Sequence, residues 1–199
     1  GYVDLLKGKT WNVPAQLWED WESIKDAPQV IDRLRKEGFD VVYVDFYDGA
    51  EDMNYNAEVL IGVLQELQRL SCGNEMHVVG VSMGGTVAKR ALRLMELRNI
   101  PSCVTSFTSF DAPYQGANLP LGLQHGVRYL RNSAGECNDL FHRVLRRPAT
   151  LQLLANHESS NYRGSEYRKL WVREDSLYGG YPKKPWLFAI TNGSSGGKE

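Results

Sequence analysis

The chain has 199 residues, 42% apolar and 24% charged, with a formal net charge of −1. That length gives one domain with a sizeable core and room for an insertion. The balanced charge argues against a general attraction to nucleic acid or anionic lipid. The apolar runs are only a few residues long, which argues against stable membrane insertion as a helix.

The sequence opens on Gly1 and shows no signal peptide, as expected of a processed or excised chain, part of a larger multidomain protein. Cys72, Cys103 and Cys137 lack metal spacing such as C-x-x-C. Cys103 reads as a small buried apolar residue. A Cys72–Cys137 disulfide stays open, and with it the compartment.

Residues 1–25 are rich in aromatics and weakly periodic, and read as a loop with a short helix. A helix follows, with Asp26 as its cap, Pro28 in its first turn, Val30, Ile31 and Leu34 on its apolar face, and Gly38 as its stop. Val41 to Phe46 (VVYVDF) is predicted to be a strand buried on both faces. Asn54 to Leu70 carries Ala57, Leu60, Ile61, Leu64 and Leu67 at helical spacing. Met76 to Val81 reads as a strand and Thr86 to Arg98 as a helix with a stripe of Val87, Ala88, Ala91, Leu92 and Met95. Cys103 to Phe110 and Trp186 to Thr191 are further strands. Residues 192–199 form a polar tail.

This alternation predicts an α/β fold around a parallel sheet. Residues 1–116 are assigned to the core sheet and its helices. Residues 117–180, several short helical patterns too long for a plain crossover, are assigned to an inserted helical cap. Residues 181–199 supply the last core strand and the tail.

The stretch HVVGVSMGGTVAKRAL (77–92) holds the main candidate for chemistry. Ser82 stands between Gly80 and Gly84, after a strand and before a helix. A sharp strand-to-helix turn holds its central residue in a strained backbone and lifts the side chain clear of the sheet. Side chains at Gly80 and Gly84 are expected to collide with the neighbouring strand and helix. The turn aims the Met83 amide at a developing oxyanion, and the helix N-terminus adds partial positive charge. An ordinary βα turn with a capping serine is the plain alternative. A Walker loop fails for want of its Lys and Ser/Thr, and no G-x-G-x-x-G occurs.

GVSMGG (80–85), the elements around it, and SFDAPYQGANLP (109–120) resemble the α/β-hydrolase superfamily, and within it lipase-like serine hydrolase domains. The similarity runs from about residue 38 to 132. VDFYDGA, SFDAPYQGANLPLG, PATLQLLANH and GGYP are similar to lipase-like domains of larger secreted or surface bacterial proteins. The resemblance implies a parallel-sheet hydrolase core with a helical cap, a serine nucleophile at residue 82, an ester or lipid-like substrate, no cofactor and a secreted or surface location.

It also implies an acid and a histidine, following the serine in chain order. Asp111, at the end of the third strand, is the acid candidate; capping a turn with Ala112-Pro113 is its alternative role. Asp45 and Asp48 more simply shape a loop, and no loop has the spacing of a calcium site, so no metal is expected. Of the four histidines, His77 lies near the wrong end of the sheet, and His125 and His142 lie in cap segments. His157 is the candidate base within the chain. The superfamily places its histidine after the last strand, where this sequence has only NGSSGGKE. Residues 1–25 likewise contain no convincing strand or oxyanion loop. Both gaps are expected of a core truncated at both ends, with its base beyond Glu199. The leucines and aromatics of 117–158 mostly pack the cap and would also suit a hydrophobic acyl group. The competing expectations are a non-catalytic hydrolase-like binding module and an acyltransferase on the same fold.

Overall fold

The computed structural model describes residues 3–4, 9–10, 27–71, 73–160 and 163–192. The expectations for most of residues 1–25, for the Asp26 cap, for Cys72 and for the 193–199 tail lie outside these residues. The chain divides into two compact units, Gly1–Gly49 and Ala50–Glu199.

The first unit contains a short antiparallel pair, β1 (Val3–Asp4) and β2 (Lys9–Thr10), and helix α1 (Ala27–Lys36). Gly38 ends α1 at φ +91°, a left-handed turn that suits glycine. It lets the Phe39 N–H reach back to the Leu34 carbonyl at 3.0 Å. Residues 41–46 depart from expectation: VVYVDF is irregular chain, followed by a turn at 47–50. A β-branched run becomes a strand only when a neighbour takes its N–H and C=O groups. No ladder among the described residues includes this one.

The second unit holds the parallel sheet. Helix α2 (Met53–Leu70) starts at Asp52, whose carboxylate accepts from the Asn54 N–H at 2.8 Å. Buried Gln152 accepts the Met53 N–H at 2.8 Å, so a side chain 99 positions away satisfies another donor of that first turn. Met53, Ala57, Leu60, Ile61 and Leu64 form its buried stripe.

Strand β3 (Met76–Val81) leads through Ser82 into α3 (Met83–Leu97), then β4 (Val104–Phe110). Strand β5 (Trp186–Ile190) closes the order β3-β4-β5, all parallel. Val81 pairs with Phe110, and Phe110 with Ile190, so the three strands end level. Residues along β3 alternate in burial, and all five of β5 are exposed. The sheet is therefore covered unevenly. Its buried contributors include Val104 and Phe107, and the main apolar packing lies on α2 and α3.

Between β4 and β5 run α4 (Leu121–Leu130), α5 (Gly135–Leu140), a π-helical turn (Phe141–Leu145), α6 (Pro148–Leu153) and α7 (Glu166–Leu177). Val127, Phe141 and Leu145 make a small apolar cluster there, with Leu119 and Leu140 against it. Cys103 and Cys137 carry free thiols.

Helix α3 buries two cations that the apolar stripe gives no hint of. Arg90 is 1% exposed; its guanidinium donates to Asn54 Oδ1 at 3.0 Å, Glu174 Oε2 at 3.1 Å and the Trp171 carbonyl at 3.2 Å. It also lies 3.8 Å from the Trp171 ring centre. Lys89 pairs with Asp175 at 2.7 Å and faces the rings of Tyr114 and Tyr181. Buried charge persists only when paired and hydrogen-bonded. These contacts therefore tie α7 to α3, the helix that follows Ser82.

Candidate active site

Ser82 has φ 51° and ψ −125°, a left-handed backbone that a residue with a Cβ adopts only at a cost of about 1–3 kcal/mol. Two hydrogen bonds hold it there. Its N–H donates to the Phe110 carbonyl at 2.8 Å, and its own carbonyl accepts the Gly85 N–H at 3.0 Å. Its side chain is exposed and makes no capping bond to the helix. The capping-serine alternative therefore fails. The helix starts at Met83, sooner than its apolar stripe suggested, because the turn feeds straight into it.

The glycines explain how so tight a corner fits. A Cβ on Gly80 would lie 2.5 Å from Gly85 Cα and 2.9 Å from the Gly84 carbonyl oxygen. A Cβ on Gly85 would lie 2.7 Å from the Ala112 Cβ and 3.0 Å from the Gly80 carbonyl oxygen. Gly84 is different: a Cβ there meets nothing within 4 Å. The crowded pair is thus Gly80 and Gly85, which corrects the assignment to Gly80 and Gly84. The second glycine of the crowded pair sits one residue later because strand and helix touch at their backbones there.

Asp111 occupies the matching place at the end of β4. Its φ is 49°, and its N–H donates to the Ile190 carbonyl at 2.7 Å, as Ser82 does to Phe110. Because Val81 pairs with Phe110, residues 82 and 111 follow side by side at the carboxyl ends of adjacent strands, where parallel sheets hold their sites. The carboxylate accepts from the Thr191 hydroxyl at 3.2 Å and, more loosely, from the Asn192 amide at 3.5 Å. These donors come from the end of β5, and sequence reading missed them. Their position just after the last strand was the one available signal.

The loop after Asp111 is tightly held. Arg168, 8% exposed, donates to the Tyr114 carbonyl at 3.2 Å and the Gln152 carbonyl at 3.3 Å. Burial lowers its pKa, and Asp175 acts in the opposite sense. Tyr114 packs edge-on to Tyr181; burial pushes its phenol pKa up, against a hydrogen bond with Ser109. Gly116, at φ +104°, passes within 3.2 Å of Ala155 atoms when given a Cβ, so glycine is required at that crossing.

His157 is not at this rim. It is 0% exposed, on the loop after α6. Its Nε2 faces the Leu145 carbonyl at 3.0 Å and must donate to it. Its Nδ1 accepts the Ser159 N–H at 3.2 Å and meets the Ser159 hydroxyl at 2.7 Å. Neither nitrogen is left to act as a base, so the structure corrects this assignment: His157 is a clasp between the π-helical turn and its own loop. His77 bonds Ser106 through Nδ1 at 2.7 Å, and His142 stacks edge-on against Phe141. No hydrogen bond joins the Ser82 hydroxyl to a histidine among the described residues. No three metal-ligating side chains cluster among them either.

One solved structure resembles this arrangement across 79% of the chain: the mature form of the Bacillus licheniformis lipase BlEst2, at 18% identity and a TM-score of 0.50. The fold is that of the lipase-like α/β-hydrolases. At that identity the likeness speaks for the fold alone. The chain spans 55% of the length of that lipase. No protein-family model matches the sequence, and no curated protein does.

Proposed function

We propose that the chain is a serine ester hydrolase of lipase or esterase type, with Ser82 as nucleophile. The observation that carries this reading is the backbone of Ser82: strained, exposed and with its hydroxyl unengaged, at the strand-to-helix corner. Strain of this kind persists where the surroundings enforce it, and it concentrates at working sites. In this reading the Ser82 Oγ attacks the ester carbonyl carbon and gives up its proton to a base. The carbonyl oxygen becomes an oxyanion and takes a hydrogen bond from the Met83 N–H, which has no partner among the described residues. Collapse of the intermediate expels the alcohol and leaves an acyl group on Ser82, which water removes. Asp111, held ready by Thr191, is the acid that orients the base. The substrate class is a carboxylic ester with an apolar acyl group.

A second reading, a hydrolase-like binding module, has one observation in its favour: no histidine reaches Ser82 among the described residues. A fluorophosphonate probe separates the two. Ester hydrolase chemistry requires labelling of the wild type and none of Ser82→Ala. A folded wild type that stays unlabelled sinks the hydrolase reading and leaves the binding module.

A further inference from the structure

Away from the Ser82 rim, positive charge gathers at the C-terminal end of α4. An open basin of ≈ 450 Å³ is lined by His125, Arg128, Tyr129, Arg131 and Asn132, none of them acidic. Nearby, Glu158 has a fully buried side chain that pairs with Arg128 at 2.7 Å and Arg146 at 3.3 Å. Arg131 has no carboxylate partner among the described residues. Its guanidinium lies 5.0 Å from the Phe141 ring centre, and Nη1 donates to the Arg128 carbonyl at 3.4 Å. Arg146 also lies 5.0 Å from that ring. Two guanidiniums therefore share one carboxylate and a third beside them pairs with none among the described residues, in a chain whose formal net charge is −1. Arg143 is not part of this excess, because Asp139 faces it at 3.6 Å.

Compensation of the exposed carbonyls at the end of α4 explains part of this, since cations favour a helix C-terminus. It does not explain why the excess borders a concavity lined by further donors. Nor does it need guanidinium planes held by an aromatic ring and a buried carboxylate. A guanidinium fixed in advance loses less freedom when it binds an oxyanion with two parallel N–H groups.

We propose that this basin binds a phosphate dianion, with Arg131 as its principal ligand and Arg128 as its neighbour. The phosphate is either free in solution, as inorganic phosphate or a phosphomonoester, or the headgroup of an anionic lipid. Its lining residues include neither Ser82 nor Asp111.

The test is calorimetric titration of the whole chain with inorganic phosphate at constant ionic strength, repeated with Arg131→Gln. Saturable binding is expected, about tenfold weaker in the variant, as for loss of a charge-assisted contact. Arg131→Lys keeps the charge but not the fork and should lie between them, which covers a glutamine variant that folds poorly. Arg69→Gln, at an exposed pair with Glu66, should match the wild type. Arg128 is left intact, because its loss would strand buried Glu158. Co-sedimentation with phosphatidylcholine vesicles, with and without phosphatidic acid, identifies the source. Arg131-dependent binding to the acidic vesicles alone assigns a lipid headgroup, and a response to free phosphate alone assigns a soluble ligand. No response in either arm, or equal binding by wild type and both Arg131 variants, overturns the proposal.

Discussion

Ser82 and His157 are both residues of catalytic type, and the fold treats them in opposite ways. Ser82 is exposed, held at φ 51°, with no side-chain partner at the helix start. His157 is fully buried, with both ring nitrogens hydrogen-bonded. One position carries backbone strain and leaves its polar group open. The other satisfies every polar group and stores no left-handed strain. Residue type therefore names a capacity, and the surroundings decide between chemistry and architecture. A site is recognised where the backbone is costly and the side chain is unspent.

The sharpest way to break this contrast is at the corner itself. Gly80→Ala drives a methyl group to 2.5 Å from Gly85 Cα, and both contacting groups are backbone. Neither can swing aside as a flexible side chain would. The expected cost is about 3 kcal/mol or more, read from urea unfolding, with loss of probe labelling at Ser82. An unfolding free energy within about 0.5 kcal/mol of wild type would show that strand and helix do not meet there. The forced backbone of Ser82 would then lose its cause.

At the other pole, His157→Ala removes a buried ring and leaves the Leu145 carbonyl and the Ser159 N–H without partners. Cavity and unpaired groups together should cost about 2–4 kcal/mol. A histidine that only clasps the fold leaves Ser82 reactive wherever the variant remains folded. Probe labelling at low temperature should therefore survive in His157→Gln, which keeps some hydrogen-bonding capacity. Unchanged stability with labelling abolished would reverse the assignment and make His157 the base after all.

Local pattern carried much of the fold. The α2 stripe, the β3 and β4 runs and the G-x-S-x-G corner could be read because each depends on neighbours close in sequence. Long-range facts could not. Arg90 and Lys89 fall within an amphipathic helix, yet they are buried because Glu174 and Asp175, on α7, meet them. The loose VVYVDF run failed for the complementary reason: β propensity is realised only beside a partner strand. Of the candidate site, the places of Ser82 and Asp111 followed from strand ends. The anchoring of Asp111 by Thr191 and the occupation of His157 required contacts made across the fold.

The smallest expected effect sharpens the comparison from within the corner. Gly84 lies between Ser82 and the crowded Gly85, yet a Cβ there meets nothing within 4 Å and its φ is not left-handed. It sits in the first turn of α3. Alanine loses less backbone freedom on folding than glycine and favours a helix. Gly84→Ala should therefore raise stability by about 0.5 kcal/mol while probe labelling at Ser82 persists. Two glycines four residues apart would then differ in sign on the same unfolding assay. That difference would place the constraint on the Gly80–Gly85 contact and not on glycine content as such. A clear loss of stability in Gly84→Ala would mean that the turn is tight on both sides of the serine, as the sequence motif alone suggested.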